Sequence, residues 1–159
     1  MPSKSVLATC AVIFLAAAMP APAAAAPTDA CALITTDQMS KIWGVQLPAG
    51  TYTAPGFTKT CTWNVPAAPG PHIHTISLMI QTSDSFEAAK QMQQAGKFQV
   101  ESVSGIGDDA YYSSAGDRIT SLIVKKGGAA FKIGMYGEFP LDKKKAMSKA
   151  MALQVLSKL

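Results

Sequence analysis

Two glycines and two adjacent carboxylates stand close together in the second half of the chain. The run Gly105-Ile106-Gly107-Asp108-Asp109-Ala110 matches the letters of the dinucleotide-binding pattern G-x-G-x-x-G/A. That pattern binds a pyrophosphate where a helix opens at the glycines and turns its amide groups toward the ligand. Here the strand-like run Tyr111-Tyr112-Ser113-Ser114 follows instead. The glycines therefore predict a turn or a bulge.

Asp108 and Asp109 could also form an acid–base pair or bind calcium. Neighbours on a strand point to opposite faces, so these two carboxylates cannot easily share one substrate. A calcium loop would place more oxygen donors at alternating positions. A role in turn formation is the favoured interpretation. His72 and His74 would share a strand face and could hold zinc, but a zinc site needs a third and usually a fourth ligand. No metal site and no cofactor is predicted.

Nucleophilic catalysis has no recognisable motif in this chain. The patterns G-x-S-x-G, S-x-x-K and H-E-x-x-H are absent. A hydrolase would have to combine Asp108 or Asp109 with one of the histidines, and nothing marks a nucleophile. The run Lys143-Lys144-Lys145 could bind anionic polymers or membrane headgroups, but a solvated helix end is the favoured interpretation. The sequence therefore predicts no enzyme and no catalytic residues.

Residues 1–25 have the pattern of a secretory signal peptide. Lys4 precedes an apolar run from Val6 through Ala18, and prolines and small residues follow up to Ala26. The prolines interrupt the run before the roughly 20 apolar residues of a membrane-spanning helix. We expect cleavage, with an uncleaved anchor as the alternative. The protein is then exported, periplasmic or extracellular, and keeps no integral membrane span.

Cysteine usage agrees with export. Of the three cysteines, Cys10 leaves with the signal peptide, because the apolar run continues past it and Thr9 fits a lipobox poorly. Cys31 and Cys61 remain, and in an oxidising compartment we expect a disulfide between them, with two free thiols as the alternative.

Residues 26–159 are long enough for one domain, with a short leader at 26–30. Without Lys4, 13 of the 14 Lys and Arg residues remain, which exceed the 10 acidic ones by only 3, and they are dispersed. This mild charge argues against a nucleic-acid partner.

The elements that position these residues follow from periodicity and capping signals. Thr35 and Gln38 form a capping-box pair for a short helix that ends at Gly44. A second helix starts at Asp84 or Ser85 and stops at Gly96, and a third runs from Asp142 to the end. The predicted strands are 58–65, 72–81, 97–103, 110–113, 119–125 and 129–136. The expected fold is α+β, an antiparallel sheet of about five strands with the helices of the start, middle and C-terminus packed on one face.

Several of these motifs together resemble a known family. They are Cys31-Ala32-Leu33-Ile34-Thr35, Cys61-Thr62-Trp63, the run 103–110 and Lys126-Gly127. The chain thus resembles a family of exported bacterial proteins, many of them actinobacterial lipoproteins, that is catalogued as a domain of unknown function. The resemblance implies an α+β fold, a disulfide between the two motif cysteines and attachment to or release from the cell envelope. It carries no catalytic residues, and the poor lipobox departs from the lipoprotein pattern.

The function predicted from the sequence is an exported, non-enzymatic binding module of the cell envelope or the medium. Its ligand is unknown, and its partner is an unknown protein or an envelope component. The alternatives are a secreted hydrolase and a secreted inhibitor that presents the loop 51–57 to a foreign enzyme.

The signal-peptide prediction is tested by the mass of the exported protein. We expect a mature N-terminus between Ala24 and Pro27, because small residues precede the possible cleavage points. Intact-mass spectrometry of exported material checks this. Retention of Met1, or a diacylglycerol on Cys10, would contradict it.

Overall fold

The protein is described from a computed structural model that covers residues 27–66 and 74–159. Residues 1–25, with Cys10, and also His72 lie outside the described residues. Within the described ranges the strands are β1 (Thr51–Tyr52), β2 (Thr60–Val65), β3 (His74–Thr82), β4 (Gln99–Val103), β5 (Asp109–Ala115), β6 (Ile119–Lys126) and β7 (Ala129–Tyr136). The helices in the same ranges are α1 (Ala30–Leu33), α2 (Thr36–Trp43), α3 (Ser83–Ala95) and α4 (Leu141–Leu156). The predicted α+β class is confirmed.

The described strands form one seven-stranded sheet in the order β1-β2-β3-β7-β6-β5-β4. All neighbouring pairs are antiparallel. The prediction of about five strands was too low: all six predicted strand segments lie in the sheet, and the short edge strand β1 was missed. The strands β4 to β7 form a meander, and its last strand pairs with β3 in the middle of the sheet. Helix α3 crosses from β3 to the far edge at β4.

The helices lie on both faces of the sheet, so the prediction of a single helical face was wrong. Helices α1, α2 and α4 cover the larger core, which includes Leu122 and Val124 of β6. Helix α3 packs on the other face, where Phe86 contacts a smaller cluster that includes Ile123. The alternation of side chains along β6 places these residues on opposite faces. Because α4 already occupies the first face over β6 and β7, the crossover helix lies on the second.

The predicted capping box of the first full helix is confirmed. The Gln38 amide donates to Thr35 Oγ1, the Thr35 amide donates to Gln38 Oε1, and Gly44 ends the helix with φ 68°. The other helix starts differ from prediction. Thr82, rather than Asp84 or Ser85, caps α3, because its hydroxyl accepts the Ser85 amide hydrogen bond.

Helix α4 begins at Leu141 after Pro140, so Asp142 lies in its first turn and is not the cap. The short helix α1, capped by Asp29, was not predicted. Both ends of the described chain meet in this helical layer, where Lys158 Nζ donates to the Ala32 carbonyl at 3.0 Å.

A disulfide joins Cys31 in α1 to Cys61 in β2, as predicted. Cys61 is fully buried next to Trp63 on the same strand face. Gly50 lies directly above both side chains, and a Cβ there would come within 2.6 Å of Cys61 Sγ and of the Trp63 ring. The bond therefore ties the first helix to the sheet. Gly50 packs against the bond, and any larger residue there would overlap it.

No helix in the described part of the chain is long and apolar enough to span a membrane.

The disulfide should contribute a large part of the stability. The bond closes a loop with a sequence separation of 30, which corresponds to about 3 to 4 kcal/mol in the chain-entropy model. We expect the double change Cys31→Ala with Cys61→Ala to lower the melting temperature by about 10 to 15 °C. Calorimetry checks this on mature protein. Two thiols that react with Ellman's reagent in unfolded, unreduced wild-type protein would contradict the bond itself.

Candidate functional site

The glycine pair at 105 and 107 forms a turn, as predicted. Both residues have positive φ, 76° and 62°. A Cβ at Gly107 would overlap the carbonyl oxygen of Lys125, so only glycine fits there without a backbone shift. The strand β5 follows at Asp109, in the place where a dinucleotide site would need a helix. The turn serves to connect strands rather than to cradle a phosphate.

Asp108 and Asp109 bind separate partners and do not converge on one site. Asp108 accepts hydrogen bonds from the Gly127 amide at 2.7 Å and from Lys126 Nζ at 2.8 Å. The backbone hydrogen bond from Gly127, followed by that from Lys126, lowers the pKa of the Asp108 carboxyl. Asp109 pairs with Lys90 of α3 at 2.6 Å. One carboxylate thus fixes the β6–β7 turn, and the other fixes the crossover helix.

Helix α3 packs on the sheet through a small cluster of aromatic rings, and ion pairs surround this cluster. The rings of Phe86 and Tyr111 meet edge to face at 5.3 Å. Lys90 and Lys125 each lie 5.6 Å from the centre of the Phe86 ring. Lys125 also pairs with Glu87 at 2.5 Å, and this hydrogen bond raises the pKa of the Lys125 amine. Burial, followed by the charges of nearby carboxylates, raises the pKa of Tyr111 to about 12.

The predicted histidine pair can be assessed only at His74. Its ring packs against Phe139 at 4.2 Å between centroids. Gly137 makes room for it, since a Cβ at that position would overlap the imidazole. Within residues 27–66 and 74–159, no three or more His, Cys, Asp or Glu side chains come together as metal ligands.

The predicted solvated end at the start of α4 is wrong for Lys144, whereas Lys143 is exposed and Lys145 is partly buried. Lys144 is fully buried, and its Nζ donates to the carbonyl oxygen of Asp117 in the β5–β6 turn. Desolvation by burial lowers the pKa of its amine. Lys145 pairs with Glu101 at 2.6 Å, and Lys143 lies over the ring of Phe139. Lys144 is therefore held within the fold and Lys145 is paired with a carboxylate, while Lys143 remains exposed.

A row of small side chains crosses the half of the sheet face that α3 leaves uncovered. The strand register aligns Thr62 of β2, Ser77 of β3, Gly134 of β7 and Ser121 of β6 side by side. We call these four residues the hydroxyl row. They lie on the face opposite the larger core, because their strand neighbours belong to that core.

The walls of this row are formed by larger side chains of the adjacent registers. Tyr136 and Ile119 stand on one side, 46% and 42% exposed, and Met79 and Lys132 stand on the other. Ser77, Gly134 and Ser121 of the row line a shallow groove of about 200 Å³ together with Tyr136, Ile119 and Lys132; Thr62 and Met79 lie beyond its lining. A Cβ at Gly134 would come within 2.8 Å of Ser77 Oγ, so the glycine keeps the floor of the groove low.

The sequence analysis did not identify this surface. The alignment of three hydroxyl residues and one glycine across four strands depends on the pairing of β3 with β7, which no local pattern reveals. A second concavity of about 340 Å³, at the C-terminal end of α2, is larger. Its lining combines Asp37 and Lys41 with the exposed helix end at Gly44, and it lacks a comparable row of aligned groups.

No protein-family model, curated protein or solved structure matches the chain. The resemblance to the family of exported bacterial proteins therefore stays a prediction.

The raised pKa of Tyr111 predicts a loss of stability in alkaline solution. Above the ordinary value of 10.0, the unfolded state loses the phenol proton while the folded state keeps it up to about 12. Stability from this group is complete below pH 10.0 and declines as the pH rises toward 12. Tyr111→Phe should therefore lose less stability than wild type in that range. Denaturant titrations on both sides of pH 10.0 check this.

The comparison isolates Tyr111, since all other titrating groups are present in both proteins. The Tyr111 hydroxyl is buried and has no hydrogen-bond partner in the described part of the chain. Its removal should therefore be neutral or slightly stabilising at neutral pH. Parallel stability curves for the two proteins across the alkaline range would contradict the prediction.

Proposed function

We propose that the protein is an exported, non-catalytic binding module of the cell envelope or its surroundings, and that it binds its ligand along the hydroxyl row. The observation that carries the proposal is the uncovered groove on the central strands. In the described part of the chain, helices cover the opposite face and the other half of this face. Thr62, Ser77 and Gly134 of the row are partly exposed, and Ser121, at 5% exposed, lies at the bottom of the groove.

The composition of the groove supports binding over simple solvation. A solvated sheet face normally carries long charged or polar side chains that keep it wet and prevent association. Here the floor consists of hydroxyls and one glycine, and Tyr136, Ile119 and Met79 expose apolar area beside it. Apolar area that borders convergent polar groups is typical of ligand-binding surfaces.

The rigidity of the floor also supports binding. Ser77, Gly134 and Ser121 lie on strands that pair with neighbours on both sides. Their positions are therefore fixed before a ligand arrives, which reduces the entropy cost of binding.

Export is supported by the disulfide and by the signal-peptide pattern. Disulfides persist in oxidising compartments outside the cytoplasm. The resemblance to exported bacterial proteins agrees with this, and it favours an envelope component or another protein as the partner.

The state of the acidic residues favours binding over hydrolysis. Asp108 and Asp109 are held by Lys126 and Lys90, and they face different neighbours. His74 packs on Phe139 and forms no hydrogen bond to either carboxylate. A hydrolase built from these groups would first have to break both ion pairs.

The proposal is tested by filling the groove. Ser77→Leu would place a branched side chain over Gly134, so we expect retention on the insoluble envelope fraction of the producing cells to fall at least about tenfold. Co-sedimentation measures retention, and circular dichroism and melting temperature check the fold.

Ser102→Leu serves as the matched control, because Ser102 is exposed on the edge strand β4, away from the row. Equal retention of Ser77→Leu and wild type would contradict the proposal. The same holds for a wild-type protein that remains entirely in the supernatant.

A further inference from the structure

The polar groups along the hydroxyl row suit a ligand that is itself rich in hydroxyls. A serine or threonine hydroxyl both donates and accepts hydrogen bonds, and so does each hydroxyl of a sugar. The backbone groups of β3, β7 and β6 are used within the sheet. An extended peptide that binds by strand addition needs free backbone groups at a sheet edge, which the row does not offer.

The shape of the row suits a chain rather than a single small molecule. It crosses the strands from β2 to β6 through β3 and β7. At about 4.8 Å between neighbouring strands, its length is about 14 Å, of which the groove over β3, β7 and β6 covers about 10 Å. A linear ligand of several ring units could follow it, with each ring over one or two strands.

The wall at Tyr136 offers a surface for the apolar side of a sugar ring. Tyr136 and Ile119 are direct cross-strand partners, and both are nearly half exposed. An aromatic ring presents a flat apolar body and a polar hydroxyl, a combination that matches the two characters of a sugar.

The charge on the other wall favours an acidic ligand. Lys132 is partly buried beside Ser77 and Ser121 and has no carboxylate partner among the described residues. Two carboxylates on the same face are already paired, Asp109 with Lys90 and Glu87 with Lys125. The Lys132 amine is thus available to a negative group of the ligand.

We infer that the hydroxyl row binds an acidic saccharide chain, with hydroxyls over the row, a sugar ring against Tyr136 and a carboxylate near Lys132. This inference rests on the proposed function and names its ligand class. A shallow groove of about 200 Å³ is smaller than a typical enclosed ligand site. We expect a dissociation constant on the order of 10⁻⁵ to 10⁻³ M.

Nuclear magnetic resonance titration of the mature protein tests the inference. The probes are oligomers of polygalacturonate, neutral dextran oligomers of similar length and poly-glutamate. The acidic saccharide should shift the amide signals of Ser77, Gly134 and Ser121, and bind about tenfold more tightly than dextran. Lys132→Gln should remove that difference, while Lys149→Gln, an exposed lysine of α4, should not.

Each contrary outcome identifies what is wrong. Equal affinity for polygalacturonate and dextran, or an unchanged preference in Lys132→Gln, would overturn the acidic part of the inference. Equal shifts with poly-glutamate would mean that charge alone is recognised and would overturn the saccharide part. If Ser77→Leu abolishes envelope retention and no saccharide binds, the proposed function stands and this inference fails.

Discussion

The antiparallel pairing of β3 with β7 is the contact on which the rest of the fold depends. It joins two units that are distant in the chain, the strands β1 to β3 and the meander β4 to β7, into one sheet. Without it, neither the larger core under α4 nor the row of Ser77, Gly134 and Ser121 would exist. Because a shift by one residue moves every side chain to the other face, the core and the groove are fixed by the same register. Packing on one face therefore determines the surface chemistry of the other.

The connection between these units explains why the groove is open. Helix α3 starts at the end of β3 and must reach the far edge of the sheet at β4. It anchors on Phe86, which is fully buried, while Met92 near its other end is 74% exposed. Helix α3 is thus buried mainly at its start. A crossover of 13 residues covers one half of the face and leaves the other half free.

Some local signals were read correctly from the sequence, whereas the caps of α3 and α4 and the long-range arrangement were not. Neighbouring residues were enough to predict the capping box at Thr35 and the bounds of β7. The pairing of Cys31 with Cys61 followed because only these two cysteines remain after the expected cleavage. The face chosen by α3 depends on where α4 packs, which no local pattern reveals. Lys144 was misjudged for a related reason. Its spacing from Ser148, Met151 and Val155 places it on the buried side of α4, but its charge favoured a solvated position.

The meeting of the two ends of the described chain has a practical consequence for orientation. Lys158 contacts the carbonyl of Ala32, and both lie in the layer formed by α1, α2 and α4. A tether, affinity tag or fusion partner attached near either end would therefore leave from the side of the sheet opposite Gly134. Immobilised through such an attachment, the molecule would present its groove outward. The same closeness of the ends makes the domain a suitable candidate for circular permutation, with a short linker from the last residue back to the first helix.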